Sequence, residues 1–272
     1  MFLIDGIETP LIDAGDRGLQ YGDGLFETVA VVRGEPKRWP RHMARLRSGC
    51  ERLGIPPPDE SVLLDEARTL CAERTEPFVL KIIVTRGSGG RGYRAPDEPA
   101  PHRLLSLHPW PDYPATWQQE GVRVRVCETR LGFHPALAGL KHLNRLEQVL
   151  ARSEWNDPEI AEGLMLDASG RVVEGTMSNL FVVMDGRLMT PSLANCGVDG
   201  LMRREVMEMT ADMGLRCIEE ELNLEDVEEA DELFLTNTLI GVWPIRELAG
   251  RAYPIGPICQ DIVARLDRTR GA

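Results

Sequence analysis

The sequence predicts an α+β chain of two domains whose sheets are rich in antiparallel pairs, and three observations carry that expectation. At 272 residues the chain exceeds the usual reach of a single core. Apolar, β-branched runs closed by tight turns are mixed with amphipathic stretches, without the steady strand–helix alternation of a doubly wound parallel sheet. Pro109-Trp110-Pro111-Asp112-Tyr113-Pro114 carries too much proline for a helix or a central strand. The division is therefore set at 1–108 for a smaller N-terminal domain, 109–120 for a linker and 121–272 for a larger C-terminal domain.

In the N-terminal part, 25–32 is a β-branched apolar run ended by Arg33-Gly34-Glu35, a hairpin signal. Beyond Pro40, Met43, Leu46 and Leu53 recur at helical spacing among arginines. A second helix is expected over 61–73, with Leu63, Leu64, Ala67, Leu70 and Cys71 on one side. Strands are expected at 78–84 and 103–107. After the linker come a strand at 122–127, a helix at 143–155, and strands at 163–167, 172–174 and 179–184, separated by the turn pairs Ser169-Gly170 and Asp185-Gly186. Helices near 201–213, 223–229 and 257–267 and strands near 215–220 and 232–237 complete the expected order.

A net charge of -12 argues against a nucleic-acid partner, which needs a basic face, and favours a small-molecule substrate. No segment approaches the ~20 apolar residues that span a bilayer, and Met1-Phe2-Leu3-Ile4-Asp5-Gly6 has no basic leader, so a cytoplasmic protein without a membrane partner is expected. Cys50, Cys71, Cys127, Cys196, Cys217 and Cys259 are scattered singly, and the histidines form no ligand spacing, so no metal is expected.

Gly87-Ser88-Gly89-Gly90-Arg91-Gly92 is a literal G-x-G-x-x-G after a predicted strand. A dinucleotide fingerprint must open a helix, which Pro96, Pro99 and Pro101 forbid. What remains is a flexible loop bearing Arg91, Tyr93 and Arg94, suited to an anion-binding lid or to plain surface. Lysine is scarce: Lys37, Lys81 and Lys141 stand against 28 arginines. Lys37 lies in a polar turn. Lys81, mid-strand, could line a cleft or snorkel, whereas Lys141 sits among small apolar residues that could lower its pKa by desolvation, as an imine-forming amine requires. On the residues alone both stay in play. Glu174 ends one apolar strand and is followed by Gly175-Thr176-Met177-Ser178 before the next. It is either a polar hairpin corner or a buried partner for a protonated ring nitrogen. Gly197-Val198-Asp199-Gly200-Leu201-Met202-Arg203 runs from a turn into a helix whose first N–H groups could receive a phosphate.

Taken in order, Asp16-Arg17, the run Tyr21-Gly22-Asp23-Gly24-Leu25-Phe26-Glu27-Thr28, Arg41-His42-Met43-Ala44-Arg45-Leu46, Lys141, the Glu174 segment and the Gly200 turn resemble the class-IV aminotransferases, of pyridoxal-phosphate (PLP) fold type IV, over nearly the whole chain. Within that family, 87–93 and 140–150 look like the aminodeoxychorismate lyases. Branched-chain enzymes carry a tyrosine shortly after the lysine, where Leu146 stands here. The resemblance implies Lys141 as the imine-forming lysine and catalytic base, with Glu174 on the pyridine nitrogen of PLP. Arg45, the N–H groups of Leu201 and Met202 and the hydroxyl of Thr238 would hold the cofactor phosphate. Arg91 and Tyr93, with Lys81, would bind substrate, Arg91 and Tyr93 from the neighbouring subunit of a homodimer. The implied reaction converts 4-amino-4-deoxychorismate to 4-aminobenzoate and pyruvate. The alternatives are a D-amino-acid or branched-chain aminotransferase and, more remotely, a PLP-binding protein without turnover.

Overall fold

A computed structural model describes the main chain of residues 1–72 and 74–270, with side chains up to residue 266. The chain divides into two compact units. One is Met1–Asp112 with Leu140–Asn144, the other Tyr113–Gly139 with Arg145–Ala272. Both mix helices with sheets, as the α+β reading requires.

The first unit comprises β1 (Phe2–Ile4), β2 (Ile7–Glu8), α1 (Arg17–Tyr21), β3 (Gly24–Val32), β4 (Glu35–Pro36), α2 (Trp39–Leu53), α3 (Glu60–Cys71), β5 (Phe78–Thr85) and β6 (Arg103–Pro109). Its sheet has the order β2-β1-β6-β5-β3-β4, antiparallel throughout. Helix α2 turns Trp39, His42, Met43, Leu46, Gly49 and Cys50 inward, a stripe that recurs at the helical period. Gly49 is needed for close approach to β3, since a Cβ there would lie 2.8 Å from Leu25 Cδ1. Helix α3 is capped by Asp59, whose side chain accepts the N–H of Ser61. Glu73, expected to end that helix, lies outside the described residues.

The second unit comprises α4 (Trp117–Glu120), β7 (Val122–Leu131), α5 (Leu146–Arg152), β8 (Ile160–Asp167), β9 (Arg171–Gly175), β10 (Asn179–Met184), β11 (Arg187–Pro191), α6 (Leu201–Asp212), β12 (Cys217–Glu220), β13 (Leu222–Asn223), α7 (Leu224–Glu228), β14 (Glu232–Asn237), β15 (Gly241–Leu248), β16 (Arg251–Ala252) and α8 (Pro257–Arg270). The sheet runs β12-β11-β10-β14-β15-β7-β8-β9-β13, with β16 beside β15. Both its faces are covered at the centre, which is why β10 and β14 are continuous apolar runs. Leu180, Val182, Leu233 and Leu235 pack into one cluster. Phe181, Val183 and Phe234 pack on the other face with Met202 and Val206 of α6 and Cys259 and Ile262 of α8. That second cluster fixes the first turn of α6.

The observed elements depart from the sequence reading in informative places. The stretch 109–120, expected as a linker, is partly structured. β6 runs to Pro109, and α4 presents Trp117 edge-on to Trp243 at 4.9 Å and stacked with Tyr113 at 5.9 Å. The helix expected over 143–155 begins only at Leu146, because the preceding backbone is hydrogen-bonded to β3 instead. Strands β11 and β15 were not anticipated; β15 contains Pro244 and a register shift. No helix among the described residues is long and apolar enough to cross a membrane.

Candidate active site

In the first unit, Lys141 is held by main chain. Phe26 donates its N–H to the Lys141 carbonyl at 2.9 Å, Leu143 donates to the Gly24 carbonyl at 3.0 Å, and Leu25 bridges His142. Asn144 Nδ2 donates to the Gly22 carbonyl at 3.1 Å. Gly22 is left-handed, with φ 66°, and a Cβ there would lie 2.5 Å from Asn144 Oδ1, so glycine is what permits the approach. The Lys141 amine sits 4.2 Å from the centroid of the Phe26 ring, and the Lys81 amine 5.5 Å from the same centroid. The two lysines left in competition by the sequence thus both approach the Phe26 ring. Lys81 lies mid-strand in β5, opposite Thr28 and Ser106.

The residue after Phe26 is Glu27, 1 % exposed. Arg45 donates Nε to its Oε1 at 2.8 Å and Nη2 to its Oε2 at 2.6 Å, and His42 Nδ1 meets Oε2 at 2.6 Å. Burial pushes the Glu27 carboxyl up, but the charge and hydrogen bonds of Arg45, with those of His42, hold it at about 2. Burial also pushes the His42 imidazole below its ordinary value, only partly offset by Glu27. A neutral His42 donating from Nδ1 to an ionised Glu27 is consistent with both. Arg45, expected on a phosphate, thus has Nε and Nη2 engaged by a carboxylate the sequence reading gave no role. Arg91 and Tyr93 lie on the loop after β5, both exposed, Tyr93 to 89 %.

In the second unit, Glu174 is 4 % exposed at the end of β9. Its Oε2 accepts the Val198 N–H at 2.8 Å and Asn179 Nδ2 at 3.4 Å, and the same Asn179 amide donates to the Val198 carbonyl at 2.8 Å. This burial removes the surface-corner reading. Arg145 feels the carboxylate: burial pushes its guanidinium below the ordinary value, with Glu174 the first opposing charge. Helix α6 starts at Leu201 behind Gly200, which is extended and provides no side-chain cap. A Cβ on Gly200 would fall 2.0 Å from Asn179 Oδ1. A helix start without a side-chain cap is the kind of place where first-turn N–H groups suit an anion. Thr238 is half-buried in the turn after β14, where Asn237 Oδ1 accepts the N–H groups of Leu239 and Ile240 at 2.8 and 2.9 Å. Two strand residues earlier, the buried Thr236 hydroxyl has no hydrogen-bond partner.

Taken unit by unit, this donor set fits pyridoxal phosphate: an amine for the aldehyde, a buried carboxylate for the ring nitrogen, an uncapped helix start for the phosphate. Asn179 links the last two. Sequence reading missed Asn179, Glu27 and Glu162. Glu162 is 1 % exposed and receives five neutral donors from Gly163, Thr176, Met177 and Ser178, which tie down the turn between Glu174 and Asn179. Burial raises its carboxyl pKa, outweighing those hydrogen bonds. A lone carboxylate in the apolar run 160–166 was the available signal.

Residues 24–248 match the family model described as amino-transferase class IV. The chain is 37 % identical to an aminodeoxychorismate lyase of Vibrio harveyi over 271 residues, 98 % of this chain and 100 % of that protein. It is 48 % identical to the 4-amino-4-deoxychorismate lyase whose crystal structure is known from Pseudomonas aeruginosa, with a TM-score of 0.94 over 98 % of each chain. A hypothetical aminotransferase of Mycobacterium tuberculosis in its PLP-bound form shares the fold, with a TM-score of 0.84 at 21 % identity over 98 % of this chain and 97 % of that one.

Proposed function

The chain belongs to the amino-transferase class IV family, and on that premise we propose that it is a PLP-dependent lyase converting 4-amino-4-deoxychorismate to 4-aminobenzoate and pyruvate. The observation that carries this reading is the end-to-end likeness to two such lyases in a chain whose own Lys141 and Glu174 are held in built surroundings.

PLP would be held by Lys141 through its amine, by Glu174 at the pyridine nitrogen, and by Arg45, Leu201, Met202 and Thr238 at the phosphate. Bound there, it supplies an aldehyde that condenses with an amine and a cationic ring that stabilises negative charge on the neighbouring carbon. The rest falls to the chain. Lys141 Nζ takes the proton from the amine-bearing carbon of the substrate as the enolpyruvyl oxygen leaves the adjacent carbon, and the ring becomes aromatic. The Phe26 face stabilises the ammonium that results. Glu174, buried at the end of β9, would face the ring nitrogen and favour its protonated form. Arg91 and Tyr93, with Lys81, would receive the two substrate carboxylates.

The same reading makes the protein a homodimer, consistent with Leu146, Val149 and Leu150 exposed at 75, 57 and 60 % along one face of α5. Six free cysteines suit a reducing, cytoplasmic setting. The deciding experiment supplies chorismate, glutamine and an aminodeoxychorismate synthase and measures 4-aminobenzoate. Its absence, with transamination of D- or branched-chain amino acids instead, would overturn the assignment.

A further inference from the structure

Gly87, Gly89, Gly90 and Gly92 promise mobility in the loop after β5, yet its main chain is strapped down. Arg17, the first residue of α1, is 3 % exposed, and its guanidinium is engaged by the loop. Nη1 donates to the carbonyls of Gly92 at 3.0 Å and Arg94 at 3.4 Å, and Nη2 to that of Tyr93 at 3.2 Å. Nε donates to Asp23 Oδ2 at 2.9 Å. Three consecutive carbonyls and a carboxylate around one planar fork is an arrangement that an ammonium point charge cannot reproduce.

The anchor is itself braced. Arg86 donates Nε to Asp23 Oδ2 at 2.7 Å and Nη2 to Oδ1 at 3.0 Å, and also reaches the Leu53 and Gly54 carbonyls at the end of α2. Burial pushes the Asp23 carboxyl up, but the two arginines outweigh it and hold the group below its ordinary value. The Tyr21 ring lies 4.9 Å from Arg17 Cζ, its hydroxyl accepts the Gly92 N–H at 3.2 Å, and it meets the Tyr93 ring edge-on at 5.6 Å. Earlier in the loop, Arg17 donates its N–H to the Gly87 carbonyl at 3.0 Å, and Gly89 donates to that of Gly15 at 3.3 Å.

We propose that Arg17 is a positioning residue for substrate: it fixes the main chain at 92–94 so that Arg91 and Tyr93 form a preformed anion-receiving arm. This rests on reading those two side chains as substrate contacts. A loop ordered only on binding would draw its conformational entropy from the binding energy, so strapping it beforehand lowers KM and leaves the chemical step alone.

In the holoenzyme, Arg17→Lys should raise KM for 4-amino-4-deoxychorismate roughly 10- to 100-fold, the effect of losing charge-assisted hydrogen bonds. Turnover and bound PLP should stay near parental. Native trypsin digestion, with fragments identified by mass, should cut after Arg91 or Arg94 at least about tenfold faster. If Arg17→Lys fails to fold, Tyr21→Phe should produce smaller changes in the same direction. Unchanged cutting, or faster cutting with unchanged KM, overturns the proposal. So does a parallel loss of kcat, PLP and melting temperature, the mark of a merely structural role. An Arg91→Ala variant with unchanged KM would sink the substrate reading of the loop, while the digestion would still report on the strap, so the two failures are separable.

Discussion

Glu27 and Glu162 are the same residue type at the same burial, and their carboxyl groups are pushed in opposite directions. What separates them is the partner: a guanidinium for Glu27, neutral donors alone among the hydrogen bonds of Glu162. For Glu27 the folded value of about 2 lies below the ordinary 4.5, so its stabilisation is fully present above pH 4.5 and is lost as the pH falls towards 2. The shift corresponds to on the order of 3 kcal/mol. Urea midpoints measured across that window should fall less steeply for Glu27→Gln than for the parent; identical slopes would contradict the ion pair. Glu174→Gln should keep the fold and most PLP while kcat drops roughly 30- to 1000-fold, since a charge-assisted contact to the ring is lost. Turnover near parental with PLP bound would remove Glu174 from the mechanism. The scarcity of lysine narrowed the candidate amine to Lys81 or Lys141, and a carboxylate between two apolar strands made Glu174 conspicuous, but only the family resemblance chose Lys141 and gave Glu174 its role. The roles of Glu27 and Glu162 were not legible, because the donors that define them, on Arg45 and at 176–178, are distant in sequence.

At the scale of elements, the start of α6 depends on an absent side chain. Gly200→Ala would drive a Cβ against Asn179, the residue that also touches Glu174 and Val198. We expect the Kd for PLP to rise at least about tenfold, or ~1.4 kcal/mol, with little change in melting temperature, as read by absorbance titration and a melting curve. Unaltered affinity would argue that the phosphate binds elsewhere. Long β-branched runs such as those of β3, β5 and β10 were readable because their residues suit a buried pleat. The start of the helix expected at 143–155 was set too early because long-range pairing with β3 outcompeted local propensity at Leu143. β15 escaped notice because Pro244 reads as an interruption, and β1 and β2 are too short for alternation to show.

At the scale of the molecule, a proline-rich stretch marks a division of the chain, but nothing local reveals that Leu140–Asn144 returns to the first unit. That return has a kinetic side. The pairing of Leu25 with His142 closes a loop containing everything between them, and such non-local contacts form slowly because their entropy must be lost before they stabilise anything. β3, β5 and β6 are joined by nearer contacts and can assemble first. On refolding with PLP present, the imine absorbance of Lys141 should therefore lag the far-ultraviolet signal of strand formation; simultaneous appearance would contradict this order. Nascent chains would then carry an assembled first sheet well before they carry a functional amine. Cofactor capture becomes a late checkpoint of maturation, open only to chains whose long loop has closed.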